Sequence, residues 1–216
     1  MSELIKTIRE ALLTFEPEKL VETTKKSLDE GCDPLEVINA LTVALGEIGN
    51  KFEKGEFFLV HLVMAGETVK KVISEHLEPL LKKAGAERKT AGRVVIGTVA
   101  GDIHDIGKSI VASMLFSAGF DVVDLGKDVP VEEFIKAVKE NKPHIVGMSA
   151  LLSTTLPVQR EVIESLKENN LRDKVKVIVG GAPVTAEWAE EIGADGYAED
   201  AVQAARVAKQ LVGGKD

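Results

Sequence analysis

The residues best suited to chemistry lie in the stretch GDIHDIGK, from Gly101 to Lys108. A carboxylate two residues before a histidine, as Asp102 is before His104, can fix the tautomer of the imidazole and raise its basicity as a ligand. Imidazole binds transition metals, and Gly107 lets the backbone pass close to a bulky partner. The pattern predicts that His104 is a metal or cofactor ligand. The residues alone also allow a plain loop histidine, hydrogen-bonded beside the start of a helix.

Short β-branched runs alternate with helical segments beyond residue 92, which predicts an α/β domain with a parallel sheet. The predicted strands are Arg93–Val99, Val122–Leu125, His144–Ser149, Val175–Val179 and Gly196–Ala198. The predicted helices are Ile106–Ala118, Pro130–Asn141, Leu156–Asn169, Thr185–Ile192 and Ala201–Val212. Five strands favour the flavodoxin-like (Rossmann-type) order 2-1-3-4-5, with the ligand beyond strands 1 and 3. The segments that leave those strands are Ala100–Gly107 and Ser149–Thr155.

The first part of the chain predicts four amphipathic helices in an antiparallel bundle. The second begins at Pro17, the third is capped by Asp33, and the fourth runs to about Lys83. The leucines, isoleucines and valine expected to be buried in the last two are Leu35, Ile38, Leu41, Leu45, Ile48, Leu62, Val69, Ile73, Leu77 and Leu80. The small and polar stretch 84–92 reads as a linker. We therefore predict two domains, residues 1–87 and 88–216.

Composition narrows the class of partners. The net charge of −8 and the pI of about 5.2 argue against binding to nucleic acid or to an anionic membrane. The longest apolar runs fall short of the roughly 18 residues that a membrane span needs, and the N-terminus lacks the apolar core of a signal peptide. A single cysteine, Cys32, suits a reducing compartment. We expect a cytoplasmic protein.

The motif Asp102-x-His104-x-x-Gly107 resembles the signature of B12-binding domains that take cobalamin in the base-off/His-on mode. In that mode the protein histidine replaces the cofactor's own base below cobalt. The resemblance has two companions in the sequence. Ser149-Ala150-Leu151 is similar to the family's Ser-x-Leu, and Gly180-Gly181 is similar to its Gly-Gly pair.

This resemblance implies roles for individual residues. Thr155 would hold the carboxylate of Asp102, which gives a relay from cobalt through His104 and Asp102 to Thr155. Ser149 would bond to the displaced base, and Ser153 would lie against the corrin edge. Gly180 and Gly181 would leave room for the nucleotide tail, and Ala201 would touch it. The other cofactor contacts that the resemblance implies are Gly101, Ile103, Asp105, Gly107 and Leu151.

The segment from Gly46 to Leu59 resembles the four-helix cap of cobalamin-dependent methionine synthase and of stand-alone methyltransferase corrinoid proteins. By that resemblance Phe52 and Leu59 cover the methyl face of the corrin. The alternative is that both residues belong to the bundle core. The chain departs from the family at Val60, where proline is frequent.

The family's function implies a corrinoid protein that carries a methyl group on cobalt, cycling between cob(I)alamin and methylcob(III)alamin. Its expected partners are a substrate-specific methyltransferase, a methyl-acceptor methyltransferase and a corrinoid reductive-activation protein. The acceptor would be a thiol such as coenzyme M, or tetrahydrofolate. Methylamines, methanol, glycine betaine and aryl methyl ethers are donors for relatives, with the methylamine type nearest in layout. The chain would be one component of a methyltransferase system, because it has no barrel of its own.

Three other interpretations stay open at this point. A cofactor-binding subunit of an adenosylcobalamin mutase shares the motif but lacks the cap. A cobalamin-sensing regulator shares the cap but needs a DNA-binding domain and a tryptophan in the cap, whereas Trp188 follows Gly181 and is expected to pack on the sheet. A B12 store or chaperone is the third. We expect His61 and His76 to be surface or boundary residues and His144 to be structural.

Overall fold

The structure, a computed structural model, describes residues 3–84 and 90–213, with the backbone alone at 82–84. The chain forms two compact units that divide between residues 89 and 90, except that 117–119 groups with the first unit. The predicted linker falls mostly on residues 85–89, which lie outside the described ranges. The domain boundary between 87 and 88 lies there too and stays a prediction.

The first unit is helical. Its helices are α1 (Glu3–Leu12), α2 (Pro17–Asp29), α3 (Pro34–Glu53), α4 (Leu59–Val72) and α5 (Glu78–Ala84), and a π-helical turn (Ile73–Leu77) joins α4 to α5. The fourth predicted helix is thus α4, the π turn and α5 in succession. Both prolines stand in first turns, where the missing N–H costs nothing. The Asp33 side chain accepts the N–H of Leu35 at 2.7 Å, which confirms the predicted cap.

The core of the helical unit contains most of the apolar residues that the periodicity predicts, but the prediction is wrong at two of them. Leu35 and Leu80 are exposed. Leu35 is rotated away from Leu41 and Leu45 by the helical period of about 3.6 residues. The π turn adds one residue to the hydrogen-bonded ladder, so that Leu81 takes the buried position expected for Leu80.

The second unit is a parallel sheet of five strands: β1 (Arg93–Thr98), β2 (Asp121–Asp124), β3 (Ile145–Ser149), β4 (Lys176–Gly180) and β5 (Gly196–Ala198). Their order, β2-β1-β3-β4-β5, confirms the prediction. Thr98 pairs with Ser149, and Ser149 pairs with Gly180. Three neighbouring strands therefore end side by side, and the loops that follow them leave from one edge of the sheet.

Helices cover the sheet, as its apolar strands require. They are α6 (Ile106–Ser117), α7 (Val131–Asn141), α8 (Leu156–Glu168), α9 (Ala186–Ile192) and α10 (Ala201–Leu211). Central strand residues such as Val95, Val146 and Val177 are completely buried. None of the helices within the described ranges combines the length and the apolar composition that a membrane crossing requires.

Candidate functional site

The carboxylate of Asp102, in the loop after β1, is completely buried and orients His104. Its Oδ1 atom accepts the backbone N–H of His104 at 3.0 Å and lies 2.7 Å from the Nδ1 atom of the same residue. The short Asp-x-His spacing is what allows one oxygen to hold both groups. Backbone and ring of His104 are thus fixed by a single neighbour.

The other oxygen of Asp102 faces the loop after β3. Oδ2 accepts the N–H groups of Leu151 at 2.6 Å and Leu152 at 3.3 Å, and the hydroxyl of Thr155 at 3.2 Å. Thr155 stands just before α8. The loops that leave β1 and β3 therefore meet on one carboxylate, at the edge where sheets of this strand order bind ligands.

The hydrogen bonds determine the charge of Asp102. Burial by itself would raise its pKa, but donors from His104, Leu151 and Thr155 lower the pKa from 3.8 to about 2. An ionised carboxylate can only accept, so the Nδ1 atom of His104 carries the proton. In a neutral ring the lone pair of Nε2 is then available to bind a metal, and the His104 side chain is 48% exposed. The pair can present a neutral, fixed imidazole to a metal.

Two residues that the sequence did not single out brace this loop. The buried hydroxyl of Thr98 donates to the carbonyl of His104 at 3.1 Å. Asp128 accepts the N–H of Gly101 at 2.7 Å, and its own N–H donates to the carbonyl of Asp102 at 3.0 Å. Asp128 has a φ of 54°, a conformation that aspartate tolerates better than most residues. The turn-like Gly-Lys-Asp stretch that ends at Asp128 was the available signal.

Exposed aliphatic side chains lie in the loop of His104 and in the loop after β3. Ile103 and Ile106 are 65% and 76% exposed, and Leu151 and Leu152 are also exposed. In the described part of the α/β unit, the large hydrophobic side chains of high exposure all belong to the loops after β1 and β3, counting Ile106 at the start of α6. Apolar surface of this kind marks a place where a ligand or partner binds.

The structure gives the paired glycines a reason that is independent of any ligand. A Cβ atom on Gly181, where φ is 124°, would stand 1.9 Å from the carbonyl oxygen of Ala150. One on Gly180 would stand 2.8 Å from the carbonyl oxygen of Ala198. The backbone of the protein itself therefore requires glycine at both positions, whether or not a ligand passes there.

The remaining predicted site residues have separate positions. Gly107, in the first turn of α6, has open space where a Cβ would point, and Asp105 directly precedes that helix. Ser153 is exposed in the loop after β3. Ala201 is buried at the start of α10. The half-buried pair predicted for the cap, at the end of α3 and the start of α4, is Phe52 and Leu59.

Comparison with known proteins identifies the family of the chain. Residues 92–206 match the B12 binding domain family, and residues 4–85 match a second family also described as a B12 binding domain. The chain is 47% identical to trimethylamine corrinoid protein 1 of Methanosarcina acetivorans, over 92% of each chain. It is 45% identical to dimethylamine corrinoid protein 1 of Methanosarcina mazei, over 99% of this chain and 98% of the relative.

A solved structure is similar over almost the whole chain. It is that of the methanol:cobalamin methyltransferase complex MtaBC from Methanosarcina barkeri, with a TM-score of 0.88 and 34% identity. The match covers 99% of this chain and 81% of that chain. The family models and these relatives show that the chain belongs to the family of B12-binding corrinoid proteins.

Proposed function

We propose that this protein holds a corrinoid through His104 and carries a methyl group between two methyltransferases. The observation that carries the proposal is the imidazole of His104, which Asp102 fixes with Nδ1 protonated and Nε2 free. Histidine ligands of metals commonly donate their second ring nitrogen to a carboxylate in this way. The kinship with corrinoid proteins supports the same assignment.

The surroundings of His104 fit a large flat cofactor. Exposed Ile103, Ile106 and Leu151 offer apolar surface to a macrocycle, and Gly107 leaves space beside it. The half-buried Ser149 hydroxyl has no hydrogen-bond partner among the described residues, so it can bond to the displaced base. The further contacts that we propose on the α/β side are Gly101, Asp102, Asp105, Ser153, Gly180, Gly181 and Ala201.

When bound, the corrinoid supplies a cobalt centre that can accept a methyl group and release it again. His104 would hold the metal through Nε2. Its Nδ1–H would donate to Asp102, which raises the basicity of Nε2 as a ligand. The ionised carboxylate of Asp102 would also stabilise an imidazolium cation in a ring that holds no metal. Thr155 would help to hold that carboxylate in place.

The proposed partners follow from the relatives. The chain is similar to proteins named for trimethylamine and dimethylamine, so we propose a methylamine as donor. A substrate-specific methyltransferase would deliver the methyl group, and an acceptor methyltransferase would pass it to a thiol or to tetrahydrofolate. A reductive-activation protein would restore the cofactor after oxidation. The proposal includes a cytoplasmic location, which the free thiol of Cys32 suits.

The test is transfer of a labelled methyl group. The protein is loaded with methylcobalamin that carries carbon-13 and mixed with coenzyme M and an acceptor methyltransferase of a methylamine system. We expect the label to appear on the thiol, and unlabelled trimethylamine with its own methyltransferase to reload the protein. Retention of the cofactor without transfer in either direction would instead support a store or a regulator. A pulldown from native extract would identify the resident methyltransferase.

A further inference from the structure

Gln159, a residue with no role in the proposed site, bridges the ends of two strands. Its side chain is completely buried in α8. The Nε2 atom donates to the carbonyl of Met148 in β3 at 3.1 Å and to the carbonyl of Gly180 in β4 at 3.3 Å. A carboxamide has two N–H donors, so both are used on the seam between these strands.

Trp188 in α9 fixes the orientation of that carboxamide. Its indole N–H donates to the Oε1 atom of Gln159 at 3.0 Å. A rotated amide would place its NH2 group against the indole N–H and its oxygen against two carbonyls, which is repulsive on every side. The indole ring is itself held, because the guanidinium of Arg160 lies 4.7 Å from its centroid. Gln159 and Trp188 form one fully paired polar unit in an apolar layer.

The bridge from Gln159 lies where neighbouring backbone is packed too closely to accept a side chain at Gly180 or Gly181. Gly180 O, which accepts from Gln159, also accepts the N–H of Ala150 at 3.1 Å. The next contact along the seam is that of Gly181 with the carbonyl of Ala150, which leaves no room for a side chain. Ser149 stands at the same seam and pairs with Gly180. Gln159 therefore adds side-chain hydrogen bonds to the ladder where β3 and β4 end, next to Ser149.

We propose that Gln159 and Trp188 are positioning residues that hold the ends of β3 and β4, and with them Ser149, in the arrangement that the nucleotide tail of a corrinoid needs. This rests on the proposed function. Gln159 bonds directly to β3 and β4. The ring and the carbonyl of His104 are instead held directly by Asp102 and Thr98, so the unit acts on the tail more than on the imidazole. Loosening the seam should therefore weaken the binding of corrinoids that carry the tail and spare those that lack it.

The test compares cobalamin with cobinamide, which has the corrin ring and cobalt but no nucleotide tail. Apo protein is titrated with each and followed by absorbance, in the wild type, Gln159→Met and Trp188→Phe. In Gln159→Met we expect the Kd for cobalamin to rise about tenfold, or about 1.4 kcal/mol, the net worth of one hydrogen bond. Trp188→Phe keeps an aromatic ring but loses the donor and the five-membered part of the indole. It leaves the two hydrogen bonds donated by Gln159 in place, so a smaller rise is expected. The Kd for cobinamide should stay unchanged in both variants.

Glu191→Gln is the matched control, since it removes the exposed ion pair with Arg160 and leaves the amide bridge intact. It should bind both ligands like the wild type. Equal loss of affinity for cobalamin and cobinamide would overturn the proposal, and so would a lower melting temperature with both affinities unchanged. If Gln159→Met does not fold, Trp188→Phe decides by the same criteria. A wild type that binds neither corrinoid would overturn the proposed function itself.

Discussion

His104 in the α/β unit and His61 in the helical unit both have their Nδ1 atom fixed, but by partners of opposite kind. Asp102 can only accept, so it requires a proton on Nδ1 of His104. The backbone N–H of Phe58 can only donate, and at 3.0 Å it makes Nδ1 of His61 the acceptor. In a neutral ring the hydrogen of His61 is then on Nε2, where a metal would have to bind.

The surroundings of the two imidazole rings also differ, since one ring lies among aromatic side chains and the other beside a buried carboxylate. His61 lies among the rings of Phe15, Phe57 and Phe58, with centroids 4.8, 5.2 and 5.9 Å away, and it completes the cap at the start of α4. His104 is tied to a buried anion. The comparison teaches that the partner of a histidine, more than its exposure, decides whether it can bind a metal or only support the fold.

Replacing each histidine gives the largest expected contrast. In the Co(II) form of the reconstituted protein, we expect electron paramagnetic resonance to show coupling to a histidine nitrogen. His104→Ala should abolish that coupling, because it removes the only imidazole whose Nε2 is free in this network. His61→Ala should keep the coupling and cost about 1 kcal/mol of stability through the lost cap. Coupling that persists in His104→Ala would mean that another residue is the ligand.

Changing the partner of His104 should have the next largest effect. In Asp102→Asn the amide nitrogen would face the N–H groups of Leu151 and Leu152 if its oxygen still served His104. Loss of a carboxylate that orients a ligand histidine lowers metal affinity by about 10- to 100-fold. Titration with cobinamide measures the affinity for the metal and its ring without any contribution from the nucleotide tail. Asp173→Asn makes the same change at an exposed site and should bind normally, and an unchanged affinity in Asp102→Asn would refute the orienting role.

Lowering the pH should remove the stability that ionised Asp102 gives to the protein without cofactor. The folded pKa of Asp102, about 2, lies below the unfolded value of 3.8, so its ionised form stabilises the fold above about pH 4. That contribution, about 2 kcal/mol, is lost as the pH falls from 3.8 toward 2. In urea unfolding, the stability gap between wild type and Asp102→Asn should narrow by this amount over that range. A gap that is constant with pH would contradict the assignment.

The elements of the α/β unit could be predicted because each β-branched run and each amphipathic run is short and clearly bounded. The site could be predicted only in part. Asp102 and His104 are two residues apart, so their spacing carries the signal. Asp128 had only the weak signal of a turn-like stretch, and Gln159 had none, because both act on backbone atoms that any residue would offer. The π turn at Ile73–Leu77 has no proline or glycine to mark it, and it misplaced Leu80.

The next prediction concerns Phe52, at the end of α3, which the sequence assigned to the cap over the cofactor. Phe52 is only half-buried, whereas Ile48, one turn before it in α3, is completely buried. Ile48→Ala should cost about 2–5 kcal/mol as a core truncation. We expect Phe52→Ala to lower the melting temperature much less and to speed the photolysis of bound methylcobalamin, as the resemblance to a cap that covers the methyl face predicts. A large loss of stability with unchanged photolysis would return Phe52 to the core.

The smallest effect is expected from removing the helical unit altogether. Every hydrogen bond that fixes His104, and the bridge at Gln159, joins residues between Thr98 and Trp188. None of these contacts needs residues 1–87, so a fragment of residues 88–216 should fold and bind cobalamin with nearly the affinity of the full chain. Gel filtration of the loaded fragment measures this, with His104→Ala in the same fragment as control. A colourless or insoluble fragment would mean that the two units share stability. The binding role of His104 would then depend on the helical unit, which contains the structural histidine His61, and the two roles would no longer divide at the domain boundary.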